Sequence, residues 1–125
     1  MPRIEPPPEA EERLRQAAIV WIASVRPDGR PHLVPVWFAY LDGAIYLAVA
    51  PASVKARNLA ESPRAVLALE DGVQPVIVEG RALVVDGSVP EAVRGAFGAK
   101  YEWDLQSERV YTLLLRFEPE RWLAW

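Results

Sequence analysis

The tightest constraint on what this chain can fold into is the punctuation of its apolar runs. Ile19–Arg26 is rich in β-branched and aromatic residues and stops at Pro27-Asp28-Gly29; Pro31–Leu41 stops at Asp42-Gly43; Ala44–Val49 returns and is closed by Pro51. Proline presets φ and glycine accepts a positive φ, so each break reads as a tight turn. Short turns join antiparallel neighbours, whereas parallel strands need a crossover of a dozen residues or more. Ala65–Glu70 and Val76–Val85 read as two further strands joined through Asp71-Gly72 and closed by Asp86-Gly87, and Val110–Phe117 as a last one before the aromatic tail Trp122–Trp125. Six strands with hairpin links and no βαβ rhythm predict an antiparallel barrel in an α+β, mainly β fold.

Two or three short helices fit between them. Residues 1–8 hold four prolines and read as an extended arm, leaving 9–125 as a single domain. Pro8 suits the first turn of a helix, Glu9, Glu11 and Glu12 suit its positive end, and Leu14, Ala17 and Ala18 give it one modest apolar face, enough to plug a barrel mouth. Val54–Glu61 reads as a second helix ending near Ser62-Pro63, and Pro90–Ala99 as a third with Ser88 as its cap.

Pro31–Leu41 alternates His32, Val34, Val36, Phe38 and Tyr40 on one face with Leu33, Pro35, Trp37 and Ala39 on the other. Both faces are largely apolar, which predicts burial on two sides, and Pro35 has no amide to donate, which predicts an edge, a bulge or a break in the ladder.

Composition excludes several function classes. The formal charge is -3 and the pI about 5.2, so the excess of positive charge needed to track a nucleic-acid backbone is missing. A barrel binding single strands through Trp37 and Tyr40 is disfavoured for the same reason. Cysteine is absent, removing disulfides and thiolate sites together. The N-terminus lacks the basic start and apolar run of a signal peptide, and no stretch approaches ~20 apolar residues, so the expected protein is cytoplasmic and not membrane-bound. His32 is the only histidine, which leaves one possible base for a catalytic triad and rules out a multi-histidine metal site. His32 itself reads as structural or site-lining. No GxGxxG or GxxxxGK[ST] pattern occurs.

One cluster does carry chemistry. The helix at Val54 opens on Ser53-Val-Lys55-Ala-Arg57-Asn58, with cations at the end where the helix dipole is already positive, an unfavourable term of roughly 0.3–1 kcal/mol per charge. An anion would relieve it. Ser53 can cap the helix or bond a phosphate oxygen, Lys55 offers a point charge, Arg57 a planar fork and Asn58 an amide. The alternative is a solvated basic turn pairing loosely with Glu61 or other carboxylates.

In context this run resembles the pyridoxamine 5'-phosphate oxidase-like, FMN-binding split-barrel family, and especially its short bacterial branch that uses FMN or the deazaflavin coenzyme F-420. The resemblance rests on Arg26-Pro-Asp-Gly-Arg-Pro-His32, Pro35-Val-Trp-Phe38, Ser53-Val-Lys-Ala-Arg-Asn-Leu59, Ser62-Pro-Arg64, Val78-Glu-Gly-Arg-Ala82 and Arg116-Phe-Glu-Pro-Glu-Arg-Trp122, in family order over most of the chain. It implies a homodimer of six-stranded split barrels with cofactor grooves at the interface. It implies that the cofactor phosphate lies against Ser53, Lys55, Arg57 and Asn58, and the ring along backbone at Val34, Pro35, Val36 and Trp37, with Trp122 as a contact from the partner chain. A true pyridoxamine phosphate oxidase adds a C-terminal substrate-binding extension with an Arg-x-His pair; neither is expected here, so vitamin B6 oxidation is not the implied activity.

The implied function is a flavin- or deazaflavin-dependent oxidoreductase passing a hydride to or from a small organic substrate. The alternative is a non-catalytic carrier of a flavin, deazaflavin or tetrapyrrole on the same fold. By alternation Trp37 reads as barrel core or dimer contact before ring-stacking, Arg81 as a surface ion pair, and Lys100, Tyr101, Trp103, Trp122 and Trp125 as interface or ligand contacts.

Overall fold

In the computed structural model, which describes residues 5–124, the chain forms three helices and one curled antiparallel sheet of seven strands. The elements run α1 (Pro8–Gln16), β1 (Val20–Val25), β2 (Pro31–Val36), β3 (Phe38–Leu41), β4 (Ala44–Val49), α2 (Val54–Glu61), β5 (Arg64–Ala68), β6 (Val76–Val84), α3 (Glu91–Tyr101) and β7 (Leu113–Ala124). Residues 1–4 of the predicted arm and Trp125 lie outside the described residues.

The sheet order is β2-β1-β5-β6-β7-β4-β3, so β2 and β3, adjacent in sequence, form its two opposite edges. Only Trp37 separates them. One residue can join the two edges only if the sheet curls until they nearly meet, and that curl makes the split barrel. Here the structure corrects the six-strand expectation: Pro31–Leu41 is two strands, because the chain leaves the ladder on β1 at Val36 and joins β4 from Phe38 onward. Pro35 sits on an edge strand, as its missing amide requires. The Asp42-Gly43 hairpin takes positive φ at both turn residues, 51° and 79°, the twist-matched geometry that this dipeptide favours.

Side-chain parity survives the break. Val36, Phe38 and Tyr40 still face inward, joining Val20 and Ile22 of β1, Ile45, Leu47 and Val49 of β4, Leu67 of β5, Val76 and Val78 of β6, and Leu115 and Phe117 of β7. α1 closes this core with Ala10 and Leu14, and α2 with Ala56 and Leu59. A smaller cluster lies outside the barrel, where Val93 and Phe97 of α3 pack on Ala39, Ala48 and Leu114. The two-sided burial predicted for the second strand therefore holds for β3, which is covered by α3. On β2, Leu33 is 61% exposed.

Two further boundaries differ from expectation. α3 begins after Pro90 with no side-chain cap, so Ser88 does not cap it. β7 runs on through the aromatic tail, placing Trp122 opposite Val78 and partly buried against the chain's own barrel core.

α3 is tied to the barrel by polar contacts. The Tyr101 hydroxyl has the carbonyls of Ala18 (2.8 Å) and Phe38 (2.9 Å) within reach of its single proton and accepts from the Phe38 amide (3.0 Å), while Lys100 Nζ donates to the Phe38 carbonyl at 3.1 Å and sits 3.5 Å from the Phe38 ring centroid. Burial pushes the Lys100 ammonium down from 10.5 to about 8. The folded state thus binds fewer protons than the unfolded chain between these values, so stability rises with pH across that window. Above pH 10 the rise is opposed by Tyr40, held up to about 12 chiefly by burial and then by its hydrogen bond to Glu11. Denaturant titrations from pH 8 to 10 are expected to show this rise, and K100M to flatten it.

Candidate functional site

α2 starts where its sequence says it should. The Ser53 side chain accepts from the Ala56 amide at 3.3 Å and donates to the Ala50 carbonyl at 2.7 Å, so its hydroxyl serves as the helix cap. With Ser53 spent on Ala56, the amides of Val54 and Lys55 make no hydrogen bond among the described residues. The first turn holds no acidic residue, and neither Lys55 nor Arg57 has an ion-pair partner among the described residues. Lys55 is also partly buried, and burial holds its ammonium below the usual range. A partly desolvated cation without an ion-pair partner at the positive end of a helix is costly, and an anion there lowers the cost.

Asn58 is placed differently from Lys55 and Arg57. Only 2% exposed, it faces the barrel and donates from Nδ2 to Ser24 Oγ at 3.1 Å. Ser24, also 2% exposed, stands directly across the β1–β2 ladder from His32. The amide therefore anchors α2 to β1. The His32 Nδ1 atom is buried and has no hydrogen-bond partner among the described residues. Burial, then the nearby charges of Arg26 and Lys55, lower the pKa of the ring. Thus His32 lies in the electrostatic reach of the helix start, at the same end of the barrel.

Lys55 opens into a cleft of about 480 Å³, within the range of small-molecule sites. The lining residues are Pro35, Val36, Trp37, Ala48, Lys55, Trp103, Glu108 and Tyr111. Four predicted site residues are thus brought together: Pro35, Val36 and Trp37 from the β2 edge and Lys55 from α2. Val34 packs against the barrel core and Arg57 is exposed on α2; neither these two nor Ser53 and Asn58 line the cleft. Arg81 is exposed on β6, outside the cleft.

The far wall comes from the segment between α3 and β7. Trp37 is 46% exposed and belongs to an aromatic cluster outside the barrel, stacked on Tyr101, so it is neither barrel core nor a lone surface residue. Glu108 accepts from Trp103 Nε1 (2.8 Å) and from the amides of Val110 (2.8 Å) and Tyr111 (3.0 Å). These donors, the Tyr111 amide first, hold its carboxyl below the usual range. Glu108 and Tyr111 carry no sequence motif. What brings them to the cleft is a folded loop, and the one local signal was the aromatic density around Trp103.

A family model described as pyridoxamine 5'-phosphate oxidase matches residues 6–125. The chain belongs to the pyridoxamine 5'-phosphate oxidase family. Among solved structures of this split-barrel fold, the conserved hypothetical protein Rv2991 of Mycobacterium tuberculosis is similar at a TM-score of 0.77 and 26% identity, covering 98% of this chain and 86% of that one. The heme storage protein HutZ of Vibrio cholerae is similar at 0.78 and 18% identity, covering 97% and 95%. An F-420 reductase is similar at 0.68 and 21% identity, covering 94% and 98%. No curated protein matches the chain. Membership of the pyridoxamine 5'-phosphate oxidase family accounts for the curl of the sheet and for the motif order along it. No helix among the described residues is long and apolar enough to cross a membrane.

Proposed function

We propose that the chain is a flavin- or deazaflavin-dependent oxidoreductase that moves a hydride between FMN or coenzyme F-420 and a small organic substrate. One observation carries this reading: Lys55, partly buried and without an ion-pair partner among the described residues, shares a single cleft with Pro35 and Val36 of the edge strand and with Trp37 after it. The residues fit a phosphate-bearing ring. Lys55 and the open amides of Val54 and Lys55 would hold the phosphate, and Arg57 beside them would meet the longer acidic tail of the deazaflavin. The free edge of β2 offers unpaired backbone groups along Val34–Trp37 to the ring's polar rim. When bound, the cofactor supplies the hydride chemistry; the chain's own part is to grip, orient and shield.

Support for the oxidoreductase reading includes the F-420 reductase among the fold's members. The heme-storage neighbour favours a second reading, a non-catalytic carrier of flavin, deazaflavin or tetrapyrrole in the same groove. A visible spectrum of the purified protein, followed by titration with FMN, F-420 and heme, separates them at the level of ligand. Stoichiometric binding of FMN or F-420 is expected, and exclusive heme binding would overturn the proposal. A loaded protein that is reduced and reoxidised no faster than free cofactor would leave only the carrier.

The phosphate grip has a reporter. An anion at Lys55 offsets one of the charges that depress His32, so inorganic phosphate is expected to move the ring titration of this sole histidine upward in proton NMR. An unmoved titration would place the anion elsewhere. We also assign the exposed outer face of the β1–β2 hairpin, with Val25 of β1 (47%) and Leu33 of β2 (61%), to a homodimer contact, testable by light scattering of wild type and L33E.

A further inference from the structure

The cleft has an aromatic end that the phosphate grip does not use. Trp37 lies on Tyr101 with ring centroids 4.2 Å apart and planes 9° from parallel, so one indole face is covered. The residue is nevertheless 46% exposed and lines the cleft. Trp103 meets Trp37 at 85° with centroids 5.3 Å apart, and Tyr111 meets Trp103 at 84° and 6.2 Å. Three rings at near right angles make a corner, not a flat patch. The Glu108 carboxylate borders this corner and fixes it, since it holds the Trp103 indole and the Tyr111 backbone at once.

We infer that this corner is the substrate compartment and that it takes a flat, electron-poor ring, uncharged or cationic, stacked on the open face of Trp37. The inference rests on the oxidoreductase reading above and names the substrate class for it. Aromatic faces carry the negative part of the ring quadrupole, so they attract electron-poor rings and cations. Glu108 adds a full negative charge on the same side. Lys55 lines the same cleft from α2 and forms no ion pair with Glu108 among the described residues, so the cleft carries an anion grip contributed by α2 and an anion-repelling corner contributed by the loop before β7. An anionic substrate would face Glu108, whereas a flat neutral or cationic acceptor meets attraction from the rings and no repulsion.

The test uses cofactor-free protein and three probes: N-methylquinolinium, which is flat and cationic; naphthalene-2-carboxylate, flat and anionic; and cyclohexyltrimethylammonium, cationic without a π-face. Affinities come from calorimetry and from quenching of tryptophan fluorescence. The quinolinium should bind roughly tenfold more tightly than either of the others. W37L should remove its advantage over the cyclohexyl cation, and Y111L, a change on a half-exposed loop residue, should reduce it. E108Q should narrow its advantage over the carboxylate, with far-UV circular dichroism unchanged in all three variants. Equal affinities for flat and saturated cations, equal or tighter binding of the carboxylate, or no binding of the quinolinium would overturn the inference. If FMN and F-420 both fail to bind while the probe preferences hold, the oxidoreductase reading falls and the aromatic compartment stands.

Discussion

Replacing Lys55 and Arg57 together by alanine is expected to weaken FMN or F-420 binding by about a hundredfold while leaving the melting temperature nearly unchanged. A charge-assisted hydrogen bond contributes roughly 1.5–3 kcal/mol, and the loss of two, partly compensated by water and by the remaining amides, comes to about 3 kcal/mol. Stability is spared because neither side chain has an ion-pair partner among the described residues, and because relieving cationic charge at a helix start is mildly favourable. The cap on Ser53 and the Asn58–Ser24 bond, which hold α2 in place, are untouched by both substitutions. K55A should cause most of the loss with FMN. R57A should matter more for F-420, whose acidic tail reaches beyond the first phosphate. Cofactor fluorescence titrations at low salt measure both. Unchanged affinity in the double variant would remove the anion grip and the functional proposal with it.

The largest expected effect on stability lies outside the cleft, at Gly80. β6 and β7 change register between Glu79 and Gly80: Glu79 pairs with Arg121 and Gly80 with Pro119, leaving Glu120 as the extra residue of a bulge. Pro119 has no amide to donate and is accommodated at this irregularity. A Cβ on Gly80 would drive into the Glu118 carbonyl oxygen and come within 2.9 Å of Phe117 Cζ. Neither can yield easily, since one is strand backbone and the other a ring fully buried in the barrel core. Gly80→Val should therefore cost about 3 kcal/mol or more and lower expression sharply. Gly72→Val makes a fair control, because a Cβ there meets nothing within 4 Å. Equal melting temperatures for the two variants would show that the strands adjust to the added carbon.

The positions of these two effects show what a linear reading of the chain can reach. The Lys55–Arg57 pair stands out in the sequence because its signal is local: two cations at the start of a helix are an electrostatic anomaly whatever the helix packs against. The hairpins at Pro27-Asp28-Gly29 and Asp42-Gly43, the α2 cap on Ser53 and the inward set Val36, Phe38 and Tyr40 were legible for the same reason, since turn chemistry and alternation act over a few residues. Family motifs added the split barrel and its membership.

Tertiary structure decided the matters that depend on residues distant in sequence. Alternation alone could not show that Pro31–Leu41 divides at Trp37, because side-chain parity is the same in one strand or two; the division comes from pairing with β1 on one side and β4 on the other. Asn58 read as part of the anion site beside Lys55 and Arg57, yet it turns inward to Ser24, a partner thirty-four residues away. Glu108 and Tyr111 had no motif to announce them and enter the cleft only because α3 and the loop after it fold against the outer face of the barrel. Local chemistry in the sequence determined the strands, the turns and the anion-seeking helix start. Long-range packing alone decided which side chains share the cleft with Lys55, because proximity across a sheet or beneath a helix is set by contacts that no short window of sequence contains.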